Sequence, residues 1–237
     1  MITVKAPTTY IHEADAIAQG GQRIAQLGSH ALIISGASAL NAVQSPLYSS
    51  LEQHKVTCST ELFQGDVTAR QIDDFTERAR AIAADIVIGV GGGRVLDLSK
   101  AVAEQAGLPV VTVPTIASTC AAWSALTVLY DEQGRSAGYR PLRRSPELVL
   151  ADSGVLARAP KRYLAAGIAD TLVKWHEFSV NLSGNGSSLA LRNSVGTAKL
   201  ALDIIETHAA NVYESPDTSG ESAEFRDVAD AILVLAG

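Results

Sequence analysis

Cysteine is scarce in this chain. Only Cys58 and Cys120 are present, far apart and outside any CxxC pattern, which excludes a disulfide-stapled scaffold and fits a reducing compartment. Long apolar runs are missing too: none reaches the roughly 20 residues that a spanning helix needs. The N-terminal stretch MITVKAPTTYIHEADAIAQG lacks the continuous apolar core of a signal peptide. A cytoplasmic protein without a membrane partner is therefore expected. Positive charge is sparse as well, 19 Lys+Arg against 25 Asp+Glu for a net charge of −6, which argues against nucleic acid as a partner. The densest basic cluster, Arg140, Arg143 and Arg144, reads either as a solvated loop or as a site for an anionic substrate group. Aromatics make up 5% of the chain, whereas alanine and glycine are plentiful, a composition suited to close helix packing and tight turns.

What is present is an ordinary globular composition, 47% hydrophobic and 19% charged over 237 residues, enough for one large domain or two small ones. Short apolar runs alternate with helical patterns. EADAIAQGGQRIAQLG reads as a helix, HALIISG as a buried strand, SSLEQH as helical and KVTCSTELF as extended. TARQIDDFTERARAIAAD places Ile72, Phe75, Ala79 and Ile82 on one helical face. DIVIGV and LPVVTVP are further strands around a helix that ends at Gly107. SALTVLYDEQGRSAGYR carries a hairpin signal at DEQG, and PELVLAD is one more strand. From Pro160 the pattern is helical over 160–181, 187–213 and 222–236, with loops LSGNGSS and SPDTSG between. The alternation predicts an α/β unit with a mainly parallel sheet, then a helical unit, divided near residue 157.

Two stretches carry chemistry. In DIVIGVGGGRVLDLSKAVAEQAG a strand ends in glycines that open a helix. Such a turn is either an anion cradle, with free N–H groups at the helix start, or simply a tight strand-to-helix connection. Asp97 and Lys100, three apart on that helix, read as a surface contact. In KRYLAAGIADTLVKWHEF, Leu164, Ile168, Leu172 and Trp175 form a stripe, yet Asp170 on the other side has Ala166, Gly167 and Val173 as neighbours. That helix is expected to be buried, so Asp170 needs a partner: a hydrogen bond, a salt bridge or a metal.

GVGGGRVLDLSKAVAE, VPTIASTCAAWSALTVLYDEQG and APKRYLAAGIADTLVKWHE together resemble glycerol dehydrogenase and its relatives in the metal-dependent, so-called iron-containing, alcohol dehydrogenase superfamily. The resemblance covers essentially the whole chain. It implies a Rossmann-like nucleotide-binding α/β domain over 1–157 and an all-α metal and substrate domain, incomplete at the C-terminus, over 158–237. It implies NAD or NADP in the cleft between them, held at Gly92, Gly93 and Asp97, at Thr115 and Ser118, and at Ser124, Leu126 and Tyr130. It also implies a divalent metal, zinc ahead of iron, with Asp170 as ligand and catalytic residue. The activity implied is hydride transfer between nicotinamide and a small polyol or hydroxy acid, in a homo-oligomer.

Three departures accompany the resemblance. Cys120 stands where glycerol dehydrogenases carry the aspartate that holds the polyol, with Trp123 narrowing the pocket. Gly36 ends the first strand of the pattern, where NAD-preferring relatives often carry an acid. The two metal histidines of the family match no histidine here, and the last helix presents Ile232, Leu233 and Leu235 without packing partners. Besides a dehydrogenase seen in part, the readings are a truncated nucleotide-binding remnant without catalysis, or a relative of the sugar-phosphate cyclases and glycerol-1-phosphate dehydrogenase.

Overall fold

Local apolar runs become the strands of one sheet. In the computed structural model, which describes residues 4–181, 189–214 and 218–236, β1 (Thr9–Glu13), β2 (His30–Ser35), β3 (Thr57–Leu62), β4 (Ile86–Gly91), β5 (Val110–Pro114) and β8 (Leu148–Asp152) form a six-stranded sheet. The order is β1-β8-β5-β4-β2-β3, and every pairing is parallel. Strands β4, β5 and β8 are buried along their whole length, as strands covered on both faces must be. A separate antiparallel hairpin, β6 (Leu126–Tyr130) with β7 (Ser136–Pro141), turns at the expected DEQG.

Helices α3 (Ala37–Gln53), α4 (Ala69–Ala81) and α5 (Gly93–Ala106) flank the sheet. Helix α4 turns Ile72, Phe75 and Ala79 inward, and Thr68 caps it by accepting from the Gln71 N–H. The expected long helix before β2 is instead two short ones, α1 (Ala16–Gln19) and α2 (Gly21–Ala25). They break at Gly20, where a Cβ would come within 2.5 Å of Leu150. After β8 come α6 (Ser153–Ala157), α7 (Lys161–Asn181), α8 (Leu189–Glu214) and α9 (Ala223–Asp230), the last running on into a π-helical turn, Ala231–Leu235. The expected loop at 182–188, the helix start at 187 and residues 215–217 of the next loop lie outside the described residues.

The helical part shares its core with the sheet. Ala117, Ala151 and Leu156 pack with Ala201, Ile205, Val228, Ile232 and Leu233 in one cluster. Ile232 and Leu233 are fully buried and Leu235 is packed against the cluster, which corrects the expectation of an unpartnered final helix. Helix α7 also departs from its pattern. Its Leu164, Ile168 and Leu172 face the core, but Ala166 is exposed and Val173 is 47% exposed. The helix is half-buried, so Asp170 sits partly in solvent. No described helix is long and apolar enough to cross a membrane.

Candidate functional site

The carboxyl ends of β2 and β4 meet where the strand order reverses. Chain connections run outward from β2 to β3, then return to β4 on its other side, and such switch points leave a crevice. A cleft of about 450 Å³ opens there. Gly36, Ala37, Ser38 and Ala39 line it after β2, Gly91 and Gly92 after β4, and Thr115 and Ile116 after β5. Its remaining wall is the segment joining α6 to α7, with Arg158 and Pro160, and the first turn of α7, with Arg162 and Tyr163.

Two of the helices that start at this cleft, α3 and α5, start bare. Helices α4, α6 and α9 have Thr68, Asp152 and Ser222 accepting from a first-turn N–H. In contrast, α3 and α5 have Gly36 and Gly92 at the cap position and no side-chain cap. Their first N–H groups are left for something in the cleft, in the positive end of each helix dipole. Glycine is needed at the turn: Gly91 has φ +155°, and a Cβ there would come within 3.0 Å of Val95. A Cβ on Gly92 would come within 2.7 Å of the Ile116 tip. Thr115 closes the adjoining loop, donating its N–H to Gly91 O at 3.1 Å.

Of the residues the sequence singles out, the structure brings Gly92 and Thr115 together at the cleft. Gly93 is the first residue of α5 and faces Thr119, while Ser118 lies half-buried in the loop after β5. Asp97, Ser124 and Leu126 form a different arrangement around one cation. Lys100, its side chain 1% exposed, donates to Asp97 Oδ1 at 2.9 Å, to Ser124 O at 3.0 Å and to Leu126 O. Asp97 also accepts from the Val128 N–H at 3.1 Å. Burial pushes its carboxyl above the ordinary carboxylate range, with Lys100 opposing that push. The expected surface contact is thus a buried ion pair that fastens α5 to the hairpin. Tyr130 ends β6 with the Arg94 guanidinium over its ring.

Cys120 opens a 3-10 turn, Cys120–Ala122, whose start is capped by Thr119. Burial pushes its thiol up, and the charge of Asp170 pushes it further, so these two residues share a neighbourhood. Helix α7 reaches that loop because Gly167 has no side chain: a Cβ there would come within 2.5 Å of Ala117 O. Asp170, 38% exposed, has Lys174 Nζ at 3.8 Å. Among the described residues no three His, Cys, Asp or Glu side chains gather as a metal site, whereas a catalytic zinc takes three protein ligands. The described residues therefore do not form such a site on their own. Trp123 packs edge-on against Tyr10, with ring centroids 5.6 Å apart, and does not line the cleft. Arg143 and Arg144 pair with Glu104 and Glu147, the solvated-loop reading of that cluster. Sequence reasoning missed Arg158, Arg162 and Tyr163; their signal is two arginines flanking Pro160 between a strand and a long helix.

The family model described as iron-containing alcohol dehydrogenase matches residues 7–153. The chain is 32% identical over 237 residues to a glycolaldehyde reductase of Halobacterium salinarum, covering 98% of this chain and 65% of that protein. It is 39% identical over 154 residues to hydroxycarboxylate dehydrogenase A of Escherichia coli, covering 64% and 42%. The crystal structure of a probable glycerol dehydrogenase from Sinorhizobium meliloti superposes with a TM-score of 0.87 at 28% identity, over 100% of this chain and 66% of that one. The chain thus spans about two thirds or less of the length of these proteins.

Proposed function

The chain belongs to the iron-containing alcohol dehydrogenase family, and we propose from that premise that it serves an NAD(P)-dependent oxidoreductase acting on the CH–OH group of a small polyol or hydroxy acid. The observation that carries this is the cleft at the switch point, where two glycine-capped helices leave their first N–H groups uncapped. A bound nicotinamide would supply the hydride acceptor or donor. Gly91 and Gly92 let the backbone approach a diphosphate, and Thr115 shapes the neighbouring wall. Gly93, Asp97, Ser118, Ser124, Leu126 and Tyr130 complete the reading, with Asp97, Ser124 and Leu126 acting through Lys100 to hold the hairpin against α5. Cys120 and Asp170 mark the substrate end.

The family implies a divalent metal, and its name points to iron. For the whole protein we assign Asp170 one ligand position and favour zinc, on the likeness to glycerol dehydrogenases. Cytoplasmic location and a homo-oligomer belong to the same reading, with the two unpaired cysteines supporting the former. A second reading, dinucleotide binding without hydride transfer, is favoured by the lack of a three-ligand cluster among the described residues.

Titration of the purified protein with NADH and NADPH, followed by tryptophan fluorescence, tests both. Micromolar binding is expected, weakened at least tenfold, or about 1.4 kcal/mol, by Gly92→Val. Turnover of a diol or a 2-hydroxy acid then supports the dehydrogenase. Binding without turnover supports the second reading, and no binding overturns both.

A further inference from the structure

The cleft carries a charge that the dehydrogenase reading alone does not explain. In a protein of net charge −6, no Asp or Glu among the described residues lines it, while two arginines do. Arg158 and Arg162 stand on either side of Pro160, both exposed, and neither is in an ion pair with a described residue. Arg162 donates from Nη2 to the Tyr163 hydroxyl at 3.1 Å and lies over that ring, which steadies the guanidinium plane without neutralising it. Arg158 lies close to Gly154, where a Cβ would come within 2.9 Å of Nη1. Two guanidinium groups with no acid beside them among the described residues make a site for an anion.

The diphosphate of a dinucleotide is already served by the glycine turn and the start of α5. The arginines are free to hold a second anion. In dinucleotide-binding folds the end of the strand leading into the ribose turn carries an acid when the ribose bears a free 2′-hydroxyl, whereas an arginine accommodates a 2′-phosphate. Here that turn is Ser35, Gly36, Ala37 and Ser38. The Ser35 hydroxyl is committed to Val90 O at 2.9 Å. Gly36 presents no side chain, and its surroundings are open: a Cβ there would have its nearest neighbour, Val95, at 4.0 Å. Among the described residues an NAD ribose would find no carboxylate at this turn to accept from its hydroxyls, and a ribose phosphate would meet no repulsion.

We infer that the cleft selects the 2′-phosphorylated dinucleotide NADP(H), with Arg158 and Arg162 as the counter-ions of the extra phosphate. This rests on the dinucleotide reading given above. Dissociation constants for NADPH and NADH, measured by calorimetry on the whole protein at low and high salt, test it. The wild type is expected to bind NADPH at least tenfold more tightly, and the margin narrows with salt because both arginines are exposed. Arg158→Ala and Arg162→Ala should weaken NADPH and leave NADH unchanged. Gly36→Asp, at a position with φ −81° and open space, should weaken NADPH and tighten NADH. Equal affinities, or tighter NADH, overturn this inference while keeping the dinucleotide site. Arginine variants that weaken both dinucleotides alike also overturn it, because the arginines would then clamp the shared diphosphate. Binding of neither dinucleotide overturns the underlying reading as well.

Discussion

Asp97 shows how one side chain can constrain a neighbourhood. A carboxylate that is 7% exposed is tolerable only with a partner, and Lys100 is that partner. Lys100→Met strands the charge and should cost about 3–5 kcal/mol, read by urea unfolding. The pH dependence has a definite sign. Burial raises the folded-state pKa of Asp97 above its unfolded value, so its stabilising contribution is complete below the unfolded pKa and is lost as pH rises through the folded one. Removing Lys100 raises the folded pKa further. The deficit of the variant should therefore shrink as pH falls from 7 toward 4; a deficit independent of pH would assign the loss to packing. Cys120 offers a second test. Its thiol is pushed up by burial first and by Asp170 second, and the thiolate is the reactive form. Alkylation at pH 8, followed by mass spectrometry, should modify exposed Cys58 before Cys120. Asp170→Asn should speed the Cys120 reaction; an unchanged rate would separate the two groups.

At the scale of elements, α7 depends on a missing side chain. Gly167 sits against Ala117 O, and a Cβ there would also come within 2.9 Å of Ile232; one turn later Thr171 is fully buried and donates back to Gly167 O. Gly167→Ala should destabilise by about 1–3 kcal/mol through overpacking, although alanine is the better helix former. A Cβ on Gly196 in α8 would meet no described residue within 4 Å, so Gly196→Ala should stabilise by about 0.4–1 kcal/mol. Thermal melts of the two variants moving in the same direction would refute the packing argument. Strands β2, β4, β5 and β8 and helices α4 and α5 are legible in the sequence because their signals are local: apolar runs, a 3.6-residue period, and Gly107 at a left-handed C-cap. Less legible is α3, which runs through Pro46 because Val43, Leu47 and Leu51 bury on one side. Strand β1 was not legible at all, since TYIHE is short and mixed and becomes a strand by pairing with β8. The glycine turn and Thr115 were readable as candidates, and both lie at the cleft. Arg158 and Arg162 were not, because only the return of the chain over the cleft brings them to it.

Over the whole molecule, the first strand is tied to the last helix by one carboxylate. Asp230 Oδ1, at the end of α9, accepts from the Tyr10 hydroxyl at 2.5 Å and has His12 Nδ1 at 2.7 Å. The His12 ring, 4% exposed, keeps its Nε2 buried without a hydrogen-bond partner among the described residues. Tyr10 also meets Trp123 edge-on, so the clasp reaches the loop that carries Cys120. Burial raises the Tyr10 pKa, and the charge and hydrogen bond of Asp230 raise it further, which keeps the hydroxyl protonated and donating. Asp230→Ala leaves a half-buried donor unsatisfied and should cost about 1–3 kcal/mol, toward the lower end because Asp230 is 42% exposed. Tyr10→Phe with Asp230→Ala should be less destabilising than the sum of the single changes, since the first removes the donor that the second strands. If the clasp joins β1 to the helical layer, hydrogen exchange in Asp230→Ala should rise in Thr9–Glu13 and Ala223–Asp230 together. Faster exchange in α9 alone would mean that the helix is held by its apolar face, with Val228 and Ala229 in the shared core, and that the carboxylate only decorates the joint.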